Sequence, residues 1–211
     1  ILVATGSGDD AHLVGKMAAF QIQSMIVAYK ERFDKDNFIK NLLLDNLLLI
    51  DIYSRSKKLH IETDESRVVM VIECDNPKEI NVLEVVRSYF VASNKDFVTA
   101  VDEKSTIVVK DLSEGSSLKD IEKSATAMYK YLQKEGLKGV RVALGTVVSE
   151  IKEVSRSYKE AKMAMDVGRI FFEDRQLIAY EELGIGRLIY QLPLPLCRMF
   201  IKEIFGENTP E

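Results

Sequence analysis

Apolar positions recur along this chain at two different periods, and the change falls near residue 60. From Asp9 to about Leu59 there is one glycine and no proline, and Val14, Ala18, Ile22, Met25, Tyr29 and Phe33 succeed one another in steps of three and four. That spacing predicts a long amphipathic helix, started at Gly8-Asp9-Asp10 with acidic residues at its positive end. A break is expected near Asp34-Lys35-Asp36, where Asp34 or Asp36 would cap a second segment carrying Phe38, Ile39, Leu42 and Leu43. Leu47-Leu48-Leu49-Ile50 then leads into the polar end Ser54-Arg55-Ser56-Lys57-Lys58. A helix of ~24 residues is ~36 Å long, more than a small domain needs to cover one face. Two uses stay open. The apolar stripe packs on its own domain, or it is a dimer seam in a coiled-coil connector that relays a signal from upstream.

After Leu59 the pattern turns to alternation and to short solid apolar runs. Arg67 to Glu73 reads as a buried strand between turn formers at Asp64-Glu65-Ser66 and Asp75-Asn76-Pro77. Ile80 to Val91 reads as a short helix. Phe97–Val101 and Thr106–Lys110 read as two strands of a hairpin joined by Asp102-Glu103-Lys104-Ser105. Leu118 to about Glu135 is expected to be helical, capped by Ser116 or Ser117 and stopped by Gly136, with Ile121, Ala125, Met128 and Leu132 on one face. A strand at Val140–Val148, a helix at Ile151–Phe172 and a closing strand at Leu177–Tyr180 complete the order β-α-β-β-α-β-α-β.

Two helix crossovers around a central hairpin make the split βαβ arrangement of ferredoxin-like sheets. The expected fold is therefore α+β: long N-terminal helices, then a domain whose helices are layered on a mostly antiparallel sheet. Beyond Gly184 and Gly186, Leu192-Pro193-Leu194-Pro195 reads as a stiff linker before a short apolar helix with Met199, Phe200, Ile204 and Phe205. The expected divisions are a helical connector over 1–62, the sheet domain over 63–183, and a linker with its helix over 184–211.

Composition narrows the function classes. In 211 residues, 46% hydrophobic and 29% charged, the balance excludes collagen-like, mucin-like and wholly disordered chains. No apolar run reaches the ~18 residues that span a bilayer, so no membrane association is expected. With 29 basic against 33 acidic residues the net charge is −4, which argues against nucleic-acid binding by this segment. Cys74 and Cys197 lack the paired spacing of a zinc site or a disulfide framework, and a cytoplasmic home is expected. Starting at Ile1 and stopping at Glu211 just after a helical stretch, the chain reads as a fragment of a longer protein.

Candidate chemistry is sparse. There is no P-loop, no Rossmann glycine fingerprint and no nucleophile elbow, and the two histidines, His12 and His60, both lie in the helical half. Catalytic residues, a resident metal and a cofactor are therefore not expected. Cys74 is read either as a small apolar residue at a strand end or as a reactive thiol. Glu73-Cys74-Asp75-Asn76-Pro77-Lys78-Glu79-Ile80-Asn81 leaves the first strand with two carboxylates, then a lysine and a helix start. Such a run serves a metal and a phosphate, or it is ordinary turn material.

This run resembles the D-x-D-x-F-K-x-I-N stretch of GGDEF domains, the diguanylate cyclase fold, and the element order from Val68 to Tyr180 matches that fold. The resemblance implies a divalent metal at Glu73 and a guanine contact at Asn81, with Asp75, Lys78, Asp102 and Glu103 completing a nucleotide site. Three departures argue against cyclase activity. The hairpin at Val101–Ser105 lacks the family's two glycines, Val82 replaces an Asp, and Pro77 replaces the Phe.

A closer resemblance covers nearly the whole chain. Val142-Ala143-Leu144-Gly145, Ser157-Tyr158-Lys159-Glu160-Ala161 with Ala164 and Gly168, and Tyr180-Glu181-Glu182-Leu183-Gly184 with Arg187-Leu188 resemble the degenerate GGDEF-like domain of bacterial PucR/CdaR-type transcriptional regulators, the carbohydrate diacid regulators among them. That family implies a non-enzymatic middle region in a homodimer. A sensor upstream binds a small-molecule effector, and a helix-turn-helix domain downstream of the apolar tail contacts DNA. Two alternatives are a non-catalytic nucleotide or small-anion sensor, and a divergent nucleotide cyclase or phosphohydrolase using Glu73, Asp75, Asp102 and Glu103 with Mg²⁺.

Overall fold

The computed structural model of this chain describes residues 5–6, 9–75, 81–90, 95–112 and 116–206. Chain contacts divide it into two compact units, Ile1–Glu62 and Thr63–Glu211.

In the first unit α1 (Asp9–Leu43) is one uninterrupted helix of 35 residues. The break expected at Asp34–Asp36 is absent. Instead of capping, the charges there brace the helix, through Lys35–Glu31 at 2.9 Å and Lys40–Asp36 at 3.1 Å, both one turn apart. Asn41 donates to the Asn37 carbonyl at 2.8 Å in the following turn. The stop comes where Asp45 takes a left-handed φ of 63° and Asn46 N–H closes back onto the Asn41 carbonyl at 2.9 Å. Phe38, Ile39, Leu42 and Leu43 are buried, whereas the apolar residues between Leu13 and Phe33 lie largely in solvent. α2 (Leu49–Lys58) follows, with Ile52 and Ser56 buried and the Ser56 hydroxyl donating to the Ile52 carbonyl at 2.7 Å. His60, at φ 56°, ends it.

The second unit has the expected α+β order. β1 (Arg67–Glu73), α3 (Val82–Tyr89), β2 (Phe97–Ala100), β3 (Ser105–Asp111), α4 (Leu118–Lys134), β4 (Arg141–Leu144), α5 (Val154–Phe171) and β5 (Leu177–Ala179) follow one another, with 3₁₀ turns at Ile151–Glu153 and Tyr180–Leu183. The sheet order is β2-β3-β1-β4-β5, antiparallel except for the β4–β5 edge. β1 is thus the central strand. On one face its Val68, Met70 and Ile72 join Val108, Val142 and Leu144 against Val86 of α3, Phe90 just after it, and Ile121, Ala125, Met128 and Leu132 of α4. That apolar stripe of α4 is the one its periodicity predicts. Asp120 fixes the start of α4 by accepting from both the N–H and the hydroxyl of Ser117.

α5 covers the other face, packing on β1 and β4. Here the strand expected over Val140–Val148 is shortened to Arg141–Leu144. A Cβ at Gly145 would overlap the Ser157 carbonyl, so α5 lies directly against the backbone there. Ser157 Oγ accepts from Val69 N–H at 3.1 Å and donates to the Thr146 carbonyl at 2.7 Å. Glu160 Oε2 accepts from Thr146 N–H at 3.1 Å and from the Thr146 hydroxyl. Side chains of α5 thereby replace sheet partners where β4 leaves the ladder, and an isolated bridge, Arg67 to Val148, continues it. The tail also differs from expectation. α6 (Gly186–Gln191) precedes α7 (Leu194–Phe205), whose first turn contains Pro195, so the Pro pair ends at a helix start rather than in a linker.

At the other end of β1 and β3 charges of both signs gather. Arg67, 2% exposed, places Nη2 at 3.7 Å from Glu65 and 3.9 Å from Asp111, Lys95 pairs with Glu65, and Asp96 accepts from Lys110 Nζ at 3.3 Å and from Asp111 N–H at 2.8 Å. Burial, then the neighbouring Glu65 carboxyl, pushes Asp111 up to about 6. Hydrogen bonding from Asp111 and from Lys95 lowers Glu65.

Two outcomes follow from this packing. Ser157→Ala leaves the buried Val69 N–H without an acceptor, and unfolding in urea should show a loss of about 1–3 kcal/mol; a change within experimental error would remove the Ser157 bridge from the account. Asp111, with its folded pKa above the unfolded value, costs stability progressively as pH rises through about 6. The Tm of Asp111→Asn minus that of wild type should therefore climb between roughly pH 4 and pH 7, and a flat difference would contradict the raised carboxyl.

Candidate functional site

Glu73 closes β1, and the sheet register sets Ser105 of β3 on one side of it and Arg141 of β4 on the other. Alternation along β1 turns Glu73 away from the face that carries Ile72 and toward the face covered by α5. Ser105 Oγ lies 3.2 Å from Glu73 Oε1 and 3.3 Å from Asp102 Oδ2, so one hydroxyl bridges two carboxylates. Arg169, near the end of α5, pairs its guanidinium with Glu73 Oε2. The carboxylate is largely buried, at 15% exposure, and the arginine is half exposed. Arg141 adds a second guanidinium, with Nη2 donating to the Glu173 carbonyl at 3.4 Å and Nη1 buried without a hydrogen-bond partner. Glu73 is thus a neutralised anion in a mainly basic setting.

Asp102 is used locally. Its Oδ1 accepts from Lys104 N–H at 2.9 Å and Ser105 N–H at 2.7 Å, which builds the β2–β3 turn without glycine. Tyr158 of α5 is buried close by, and burial together with the Asp102 charge raises its phenol. An open cavity of about 340 Å³ lies between this turn and the start of α3, lined by Asn81, Leu83, Ala100, Asp102, Glu103 and Thr106 among others. Asn81 Oδ1 accepts from Glu84 N–H at 3.3 Å and so caps α3.

Of the residues singled out from the sequence, Asn81, Asp102 and Glu103 meet around this cavity, and Glu73 connects to Asp102 through Ser105. Asp75 does not join them. Its N–H donates to the Lys138 carbonyl at 3.3 Å and its side chain rests on Gly139, where any Cβ would collide with it. Lys78 lies outside the described residues. The Cys74 thiol is pushed up to about 11 by burial and by Asp75, so it is protonated at neutral pH and the small-apolar reading of this residue stands. Arg141 and Arg169 carry no signal in the sequence, because their link to Glu73 arises from strand register and from where α5 lands.

A divalent metal does not fit this arrangement. The Glu73 carboxylate is occupied by Arg169 and Ser105, and among the described residues no three His, Cys, Asp or Glu side chains come together to hold one. No helix among them is long and apolar enough to cross a membrane.

Residues 47–167 match the family described as GGDEF-like domain. In fold, the chain is similar to the crystal structure titled Regulator of Polyketide Synthase Expression from Bifidobacterium adolescentis, with a TM-score of 0.55 and 11% sequence identity over 84% of this chain and 68% of that one. At that identity the likeness is one of fold. No curated protein matches the chain.

Removing the guanidinium tests the site's internal neutralisation. Arg169→Ala should cost about 1–2 kcal/mol in urea unfolding, less than the ~3–5 for a fully buried pair because the arginine is half exposed, and Arg169→Lys should recover part of it. Equal stability of all three proteins would show that the ion pair contributes nothing.

Proposed function

This chain belongs to the GGDEF-like domain family, and we propose that it is the regulatory middle region of a ligand-responsive bacterial transcriptional regulator of the PucR/CdaR type. In this reading it relays a signal from an upstream sensor to a C-terminal helix-turn-helix domain through packing in a homodimer. Its main support is that the fold itself engages Glu73 and Asp102, two of the candidate acidic groups. Glu73 is held by Arg169 and Ser105, and Asp102 by its own turn. A catalytic or metal-binding role would need those carboxylates free. The name of the regulator that shares the fold supports a role in controlling expression.

The α1 stripe of Val14, Ala18, Ile22, Met25, Tyr29 and Phe33 is the proposed dimer seam. Five of these six side chains are exposed and Ala18 is half-buried, as a seam requires before its partner arrives. An effector bound upstream acts only as far as it favours one helix packing over another. DNA is contacted through the downstream domain, in keeping with the net charge of −4 here.

A second reading, a nucleotide or small-anion sensor without turnover, draws on the 340 Å³ cavity beside Asn81 and Asp102. Sedimentation equilibrium of the chain, with thermal unfolding in Mg²⁺ and GTP, ATP or cyclic dinucleotides, separates the readings. The relay predicts a dimer, a Tm unchanged across the panel and no product. A monomer would defeat the relay; a saturable rise of more than about 2 °C without product would favour the sensor, and Mg²⁺-dependent product would mark an enzyme.

A further inference from the structure

The first 25 or so residues of α1 carry a second apolar row that the proposed seam does not use. At 100° per residue, Val14, Ala18, Ile22, Met25, Tyr29 and Phe33 cluster on one side of the helix. Leu13, Met17, Phe20 and Val27, with Ser24 and Glu31 completing the steps of four and three, run along the opposite side. The second row follows the alternating four-three spacing of a heptad seam, whereas the first steps by four, four, three, four and four, an eleven-residue spacing that also keeps to one helix face. The four apolar members of the second row are 59%, 63%, 74% and 61% exposed. Each row presents roughly 500–700 Å² of apolar surface, close to the apolar share of the ~800 Å² that each partner contributes to a standard interface. Either one alone is as large as the biggest apolar patch of a typical monomer, about 300–600 Å².

Resting on the dimeric relay above, we propose that α1 holds two alternative dimer seams on opposite faces, each occupied by the α1 of a second copy, and that the signal is relayed by exchange between them. Using both seams at once would chain copies into an open array, because contacts on opposite faces of one helix do not close on themselves. Using one at a time gives two closed dimers that differ by about half a turn of α1. The seams are similar in apolar area but distinct in character. The first carries Tyr29 and small Ala18; the second has Ser24 at its centre and Glu31 at its end, beside Lys35 at 2.9 Å. Two packings of comparable strength form the bistable element that a modest difference in ligand affinity can bias.

Cysteine cross-linking in the full chain, in a Cys74→Ser/Cys197→Ser background, reads the two seams separately. Met25→Cys reports the first and Phe20→Cys the second, with sedimentation giving the oligomeric state and far-UV circular dichroism confirming that α1 stays helical. Both reporter variants should cross-link between copies. Adding Ile22→Asp, in the first seam, should weaken dimerisation at least tenfold yet raise the fraction of remaining dimer that cross-links through the Phe20→Cys reporter. Met17→Asp should do the reverse, and Ile22→Asp/Met17→Asp should be monomeric. Suppose instead that the Met25→Cys reporter alone cross-links, and that Ile22→Asp abolishes dimerisation outright. There is then one seam: the exchange is overturned and the dimeric relay survives. A chain that is monomeric without either aspartate substitution would overturn both.

Discussion

The second unit is organised around the need to satisfy β1, a strand buried on both faces and paired along both edges. β3 matches it over its whole length, but β4 covers only Met70 to Glu73. The Val69 N–H just beyond that point is buried, and an unpaired amide there would cost about 1–3 kcal/mol. Ser157 closes the gap from α5, and the absence of a Cβ at Gly145 lets the helix come close enough to do so. The helix position is therefore fixed by a hydrogen bond to the central strand as well as by apolar contact.

That anchoring explains the chemistry at the far end of β1. Val69 and Glu73 lie ~13 Å apart along the strand, and Ser157 and Arg169 lie ~18 Å apart along the helix. With α5 held at Ser157 and Glu160, its last turns reach the strand end, and the Arg169 guanidinium meets the Glu73 carboxylate. The same helix buries Tyr158 beside the Asp102 turn. Glu73 and Asp102 are thus engaged by the protein's own donors, while Glu103 and Lys104 remain exposed at the cavity beside them.

The first unit follows a different logic. α1 is stabilised along its length by one-turn ion pairs such as Glu31–Lys35 and Asp36–Lys40, and it is buried only at its C-terminal end, from Phe38 to Leu43. Its large apolar side chains from Leu13 to Phe33 stay exposed along the helix.

Much of the fold was legible from the chain alone. Alternation and β-branched runs placed all five strands to within a few residues, and the period of four and three placed α4 and its buried stripe, because these signals depend on neighbours close in sequence. Where two local signals competed, the wrong one was favoured: Asp34 and Asp36 look like helix caps, yet Glu31, Lys35 and Lys40 turn the same stretch into ion-paired helix interior. The site was only half legible. Glu73 and Asn81 stand in one recognisable run and Asp102 in the hairpin loop, but whether a carboxylate is free or consumed depends on what faces it across the sheet. Cross-strand register put Ser105 and Arg141 beside Glu73, and the seating of α5 brought in Arg169 from far along the chain. Periodicity is a local property, so the elements, their order and their apolar faces could be read residue by residue. Electrostatic pairing depends on distance in space, which no pattern along the chain encodes. Which charges cancel was therefore settled only when the helix came down on the sheet.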